Sequence, residues 1–271
     1  MSNFTDFISS GGGSASYPTI FLHNSQTWVP PQDGNIMIHV IGAGGSGSGS
    51  TVDTNVESGA AGGYCRKNSL AVTTSGSFTV TIGAGGASRI GDPGAGVAGG
   101  NSTVAGTGLS STLTANGGAG GVLGTNTYTT GGTASNGDVN YAGGRGGYQI
   151  GGGAVGLTGA GNDGALTNNV ITNYGGNCDI LGDFYSSSLG QLSGSLGGHG
   201  SYANQNTSAD GQQIAGPLGG AGSMFILSAG FSIAAGHATI GGGGGFCRNS
   251  GSAFIFSGRG GEGCVVIQYI P

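Results

Sequence analysis

Apolar residues along this chain gather in short strand-like runs, and several of those runs pass straight into glycine. Ile36-Met37-Ile38-His39-Val40-Ile41 hands over to Gly42-Ala43-Gly44-Gly45-Ser46-Gly47. A continuous, β-branched apolar run of this length predicts a strand buried on both faces. Phe78-Thr79-Val80-Thr81-Ile82 hands over in the same way to Gly83-Ala84-Gly85-Gly86. The order reverses near the end of the chain, where Gly258-Arg259-Gly260-Gly261-Glu262-Gly263 leads into Cys264-Val265-Val266-Ile267-Gln268-Tyr269. Ile20–His23 and Gln26–Val29 are shorter strand candidates, followed by the turn Pro30-Pro31-Gln32-Asp33-Gly34. Tyr64–Val72 and Ser77–Ile82 read as two arms of a hairpin around Thr73-Thr74-Ser75-Gly76, and Cys264–Ile270 completes the sheet. The pattern predicts a base of ordinary strands from which glycine-rich segments leave and to which they return.

Composition changes the picture of those segments. Glycine makes up 67 of 271 residues, and proline only 6. Collagen needs glycine at every third position and abundant proline, so it is excluded. Disordered chains are usually highly charged and poorly apolar, whereas this one is 36% hydrophobic and 6% charged. Glycine weakens an α-helix by about 1 kcal/mol per residue relative to alanine, and it gives a strand nothing to pack. What remains is an extended helix of the polyproline II type, with three residues per turn and a rise of about 3.1 Å. Without Cβ atoms such rods can lie close enough to pair their backbone groups with one another. The candidate rods are 42–49, 83–100, 117–121, 143–161, 190–200, 216–222, 241–245 and 258–263. The expected fold is all-β, a small β-sandwich base carrying a glycine-rich polyglycine II helix bundle, with almost no α-helix. Residues 1–19 read as an N-terminal docking arm or linker, 20–82 plus 263–271 as the base, and 83–262 as the glycine-rich body with its distal loops.

Charge and motifs exclude most chemistry. The net charge is −5 and the six basic residues are scattered, which argues against nucleic acid as a partner. The N-terminal residues Met1–Phe7 have neither the basic start nor the apolar core of a secretory leader. The longest apolar stretch, 223–235, is too short for a membrane span, which needs about 20 residues. Cys65, Cys178, Cys247 and Cys264 are widely spaced with no C-x-x-C pair, so no zinc site is expected. They read as small buried apolar residues, with disulfide pairing left open. Gly42–Gly47 matches G-x-G-x-x-G, but a poor helix former follows it, and Asp53 and Glu57 come too early to hold a ribose. The four histidines form no spaced pair, and His39 reads as a satisfied strand residue. Asp179 and Asp183 read as solvated loop carboxylates. No catalytic residue, metal or cofactor is expected, and an enzyme is not.

The loops between rods differ in vocabulary. Segments 122–142, 162–189 and 201–215 combine tyrosine with asparagine, serine and threonine, the mixture found on adaptable binding surfaces. Each rod must leave the base and come back, so these loops are expected to gather at the far end. Tyr128, Tyr141, Tyr174, Tyr185 and Tyr202 are therefore the candidate contact residues. Some aromatics, chiefly phenylalanines, are instead expected to cap the rods. Phe4, Phe7 and Ile8 mark either a docking arm or a frayed terminus, and Trp28 reads as a core or rim residue of the base. Gly62-Gly63-Tyr64-Cys65-Arg66-Lys67-Asn68-Ser69 is echoed, one residue shorter, by Gly244-Gly245-Phe246-Cys247-Arg248-Asn249-Ser250, as two similar passages from rod to strand.

Taken in order, Gln26-Thr27-Trp28-Val29-Pro30, Ile36–Ile41 into Gly42-Ala43-Gly44-Gly45, Gly62–Lys67, Thr79–Gly86 and Gly261–Tyr269 resemble the glycine-rich domain proteins of bacteriophage tails over about 20–270. The resemblance implies a non-enzymatic virion protein at a tail or fibre tip, made in the host cytoplasm. It would act as an adhesin whose polyglycine II bundle presents variable loops to a bacterial surface receptor, either a saccharide or an outer-membrane protein. It also implies other tail or fibre proteins as partners and a homotrimer as the assembly. The loops here are longer and less glycine-pure than in the most regular members, which leaves the number of rods per bundle open. The alternative is a purely structural virion component, a tail or head decoration in which the glycine body is a spacer. A cellular glycine-rich receptor or wall protein is a third reading, opposed by the missing leader pattern.

Overall fold

Alternate residues of a strand share a face, and in Gly34–Ile41 the residues Ile36, Ile38 and Val40 are all fully buried. They form the middle of the main core. The computed structural model describes residues 17–51, 55–124, 127–147, 152–156, 159–164, 184–186, 190–192, 224–226, 238, 240–245, 247–249 and 256–271. Fifteen strands lie among them: β1 (Thr19–Leu22), β2 (Gln26–Trp28), β3 (Gly34–Ile41), β4 (Gly49–Ser50), β5 (Tyr64–Val72), β6 (Phe78–Thr81), β7 (Ser102–Gly106), β8 (Leu113–Ala115), β9 (Ala134–Ser135), β10 (Val139–Tyr141), β11 (Phe184–Ser186), β12 (Gly190–Leu192), β13 (Met224–Ile226), β14 (Cys247–Asn249) and β15 (Cys264–Ile270). There is no helix among the described residues, and the fold is all-β.

Two five-stranded antiparallel sheets make the base, in the orders β1-β15-β3-β5-β10 and β2-β6-β7-β8-β9. β15 inserts between β1 and β3, with Val265 opposite Val40 and Ile267 opposite Ile38. The apolar faces of the two sheets meet in one core, in which Phe78, Val80, Val104 and Leu113 of the second sheet cover the alternating residues of β3 and β15. Trp28 closes its rim, almost fully buried and 5.5 Å from the Phe78 ring.

The expected hairpin of Tyr64–Val72 with Ser77–Ile82 does not form. β5 pairs with β3 and β10, whereas β6 pairs with β2 and β7. Val72 and Phe78 are both buried, so the turn between them carries the chain from one sheet to the other. The turn is closed by Gly76 N–H on the Thr73 carbonyl (2.8 Å) and by Thr74 N–H on the Asp33 carboxylate (2.7 Å). Base and body also interleave more than the boundaries 20–82 plus 263–271 and 83–262 imply. β7 to β10 belong to the base, and two rods, 42–49 and 57–63, lie within the first block.

The rods show their three-residue turn in their hydrogen bonds. Along 42–49, residues 42, 45 and 48 donate to Gly63, Ala60 and Glu57; residues 43, 46 and 49 donate to Gly100, Val97 and Gly94; and residues 44 and 47 donate to Gly261 and Gly258, all at 2.8–3.1 Å. Each set advances by three along one rod and retreats by three along its antiparallel neighbour. The carbonyls of Ala43 and Ser46 accept from Gly118 and Gly121, and those of Gly45 and Ser48 from Gly244 and Cys247. This rod is thus paired on all sides, as buried backbone must be. The close approach requires glycine: a Cβ on Gly44 would overlap the Gly242 carbonyl. The stretch 83–100 divides into two rods, 83–86 and 94–100, and 143–161 into 142–147, 152–156 and a third that continues to 164; 57–63 and 130–133 are additional. Of 190–200 and 216–222, only β12 is described.

Candidate functional site

Rod 116–122 leaves the base directly after β8, and its Val122 carbonyl accepts from Glu57 N–H (3.2 Å), nine residues beyond Ser48. The chain returns through Thr130 and Thr133, whose carbonyls accept from Ala119 and Asn116 (3.0 and 2.8 Å), and enters β9. The turn residues 123–124 and 127–129 therefore lie at the end of the bundle away from the sheets. Val56 pairs with Leu123 there in a small apolar cluster.

Glu57 fixes this turn. Its side chain is fully buried, with Oε1 accepting Thr127 N–H (2.7 Å) and Oε2 accepting the Thr129 hydroxyl (3.2 Å). A buried carboxylate is tolerated only with such donors. Both flanks of Tyr128 are thereby tied to rod 57–63. Thr129 is further tied to rod 142–147 by reciprocal backbone bonds with Gly146 (2.8 and 3.0 Å).

That pairing puts half-buried Tyr128 beside Arg145, whose guanidinium carbon stands 4.1 Å from the ring centroid. Rod 159–164 runs parallel to 142–147, with Gly161 and Gly164 donating to the carbonyls of Ala142 and Arg145 (3.0 and 2.7 Å), and so brings Asp163 alongside. Asp163 Oδ1 accepts Arg145 N–H (2.8 Å), while Oδ2 accepts Nε (2.9 Å) and Nη2 (2.6 Å). Partial burial works against the Asp163 charge, but the Arg145 bonds prevail and hold its carboxyl below the usual range. The arginine and aspartate side chains remain 49% and 37% exposed, so the group is ordered yet open to a partner.

The other candidates fall elsewhere. Tyr141 is not at the far end. It lies in β10 of the base, opposite Tyr64, with the two rings stacked at 6.1 Å. The flanking alternation Val139-Asn140-Tyr141 makes a strand that pairs with β5, and this takes Tyr141 off the loop. Tyr185 lies in β11, opposite Gln191 of β12. Tyr174, Tyr202, Phe4, Phe7 and Ile8 lie outside the described residues. Arg145 and Asp163 were not singled out by the sequence reading, and Glu57 was considered there only as a ribose carboxylate. Their one sequence signal is that each is a charged residue within or at the edge of a glycine-rich stretch, Arg145 between two glycine pairs, Asp163 before Gly164 and Glu57 two residues before Gly59.

Polar groups in the sheet region are satisfied internally. His39 Nδ1 lies 2.8 Å from the Tyr64 hydroxyl, both of them buried. Burial, with the nearby Arg66 charge, pushes the His39 pKa down to about 4. Burial pushes Tyr64 up to about 12, so the bond joins a neutral imidazole and a neutral phenol. Cys65, Cys247 and Cys264 are buried, and burial raises the pKa of all three. The two echoed passages end differently. Cys65 enters β5 in the base, whereas Cys247 enters β14, which pairs in parallel with β4 towards the far end of rod 42–49. Tyr17 and Phe21 stay exposed on the base, the Phe21 ring parallel to His23. Among the described residues no three His, Cys, Asp or Glu side chains could hold a metal ion, and no helix is long and apolar enough to cross a membrane.

Comparison with curated proteins returned no match to the chain. The family model for a glycine-rich domain matches residues 21–270, which runs from β1 to the end of β15, and the chain belongs to that glycine-rich domain family.

Proposed function

We propose that this protein is a bacteriophage tail-fibre or tail-tip adhesin that recognises a host-cell surface receptor without catalysis, its glycine bundle holding contact residues away from the base. The observation that carries the reading is the ordered far-end group of Tyr128, Arg145 and Asp163, clamped from below by Glu57. An aromatic ring and an arginine, both pre-positioned and partly open, are the residue types that dominate binding energy at interfaces. The base has the complementary task of attachment to other tail or fibre proteins, and the exposed Tyr17 and Phe21 together with Phe4, Phe7 and Ile8 suit it. The homotrimer and the virion location belong to the same proposal.

Adsorption of purified protein, or of phage carrying it, to host cells tests the reading. Tyr128→Ala should weaken adsorption by about 2 kcal/mol or more if it is a hot spot, with unfolding unchanged. Substitutions at Tyr174, Tyr185 and Tyr202 test the rest of the loop surface, and Tyr141→Ala is expected to act on the base instead. If every loop substitution leaves adsorption intact while the protein still assembles into particles, the glycine body is a spacer and the protein a structural component.

A further inference from the structure

The geometry points to a neutral saccharide, presenting two vicinal hydroxyls, as the receptor group that seats on Tyr128, Arg145 and Asp163. This inference rests on the adhesin reading and names the chemistry of its contact. Asp163 Oδ2 occupies the Nε and Nη2 side of the Arg145 guanidinium, and the Tyr128 ring covers one face. Nη1 bonds to no described residue. The outer edge, with one N–H from each terminal nitrogen, is therefore unpaired among the described residues, on a side chain that is 49% exposed and held in plane by Asp163. Two parallel N–H groups match two oxygens a few ångströms apart, as in a carboxylate, a phosphate or a pair of neighbouring hydroxyls.

Charge decides among these. Coulomb energy falls as the inverse of distance. An anion seated on the open edge would lie roughly 4 Å from the guanidinium and roughly 6 Å from the Asp163 carboxylate, so about two thirds of the attraction is cancelled. The chain as a whole carries −5, which opposes an anion further. An acidic ligand must still lose ion hydration, whereas a neutral diol takes the same two hydrogen bonds without that cost. The exposed neighbours Thr127 and Thr130 are uncharged, and the Tyr128 ring offers a carbon surface to a sugar's C–H face.

The test is saturation-transfer NMR on the full chain with methyl mannoside, methyl glucoside and methyl galactoside as neutral probes, and glucuronic acid and glucose 6-phosphate as acidic ones. Host-cell adsorption is measured in parallel. At least one neutral probe should receive transfer, change less than about twofold in affinity between low and high salt, and lose binding when either of two adjacent hydroxyls is replaced by hydrogen. Arg145→Lys keeps the charge but not the fork, and should weaken binding about tenfold; an unchanged amide spectrum shows that the variant is folded. Binding confined to the acidic probes and abolished by salt overturns the inference, as does binding of no sugar at all. If Tyr128→Ala still lowers adsorption, the adhesin reading stands, with an acidic saccharide receptor in the first case and a protein receptor in the second; if it does not, that reading falls too.

Discussion

Ser46 and Val97 exchange two hydrogen bonds between neighbouring rods: Ser46 N–H donates to the Val97 carbonyl (2.9 Å), and Val97 N–H donates back to the Ser46 hydroxyl (2.8 Å). The same exchange joins Ser48 to Glu57 and Ser257 to Arg89. Along rod 94–100, Gly100 donates to the Ala84 carbonyl. Three residues away Val97 would need a carbonyl from the same neighbour, but rod 83–86 has ended. The serine hydroxyl supplies the missing acceptor.

Ser46→Ala should therefore strip the Val97 amide of its partner while leaving the Ser46 N–H bond in place. A fully buried donor left unsatisfied costs about 1–3 kcal/mol, and the Val97 amide, which is only part-buried, should lose less than that. Denaturant unfolding should register that loss, and hydrogen exchange should accelerate at Val97 well before it does at Gly99, which donates separately to Gly118. Unchanged Val97 exchange would show that the hydroxyl is dispensable.

Glycine substitutions should separate bundle interior from surface. Gly44→Ala forces a methyl into the Gly242 carbonyl, and the backbone there is held by neighbours that cannot yield singly. Overpacking commonly costs about 1–3 kcal/mol and more where nothing relaxes, so this variant should sit at or above that range. An added Cβ on Gly159 meets nothing within 4 Å, and Gly159→Ala should leave the melting temperature within a degree or two. Equal effects at both positions would contradict the packing described.

His39 predicts a pH dependence with a definite sign. Its folded pKa of about 4 lies below the ordinary histidine value of 6.5, so between those values the unfolded chain binds a proton that the folded protein refuses. Stability is full above about pH 6.5 and falls as pH drops towards 4, by roughly 3 kcal/mol in total for that shift. His39→Phe removes the titrating group and should flatten the slope of unfolding free energy against pH in this window, whatever it does to stability at neutral pH.

Glu57 should matter more to the tip than to the base. Glu57→Ala leaves Thr127 N–H and the Thr129 hydroxyl without their acceptors, and bonds to a charged group contribute about 1.5–3 kcal/mol each. Hydrogen exchange should rise at 127–129 and, on the proposed adhesin function, host-cell adsorption should fall, with the β3 and β15 amides still protected. Glu57→Gln retains one carbonyl oxygen for Thr127 and places an amide donor near the Thr129 hydroxyl, so it should recover most of the protection. Loss of protection throughout the sheets in Glu57→Ala would instead make the residue a general stability element.

Local chemistry determined a good deal from the sequence alone. The β-branched runs at Ile36–Ile41 and Cys264–Ile270 could bury their faces only in a sheet, and glycine runs without Cβ atoms could pair their backbones only as close-packed three-residue helices. His39 as a satisfied strand residue and Trp28 as a rim contact were legible for the same reason, because burial and strand alternation act over a few positions. The tertiary structure decided the matters of neighbourhood. Nothing within Tyr64–Val72 or Ser77–Ile82 says that they belong to opposite sheets; that follows from Val72 and Phe78 facing one core. Tyr128 and Tyr141 sit in similar polar surroundings in sequence, yet one reaches the tip and the other a base strand, according to whether the adjoining residues pair with a rod or with β5. Arg145 and Asp163 meet because two rods with nearly featureless glycine sequences happen to be adjacent. A glycine run carries no side-chain code for its neighbour, so the order of rods is set by the strands that anchor them and by the need to leave no backbone group unpaired.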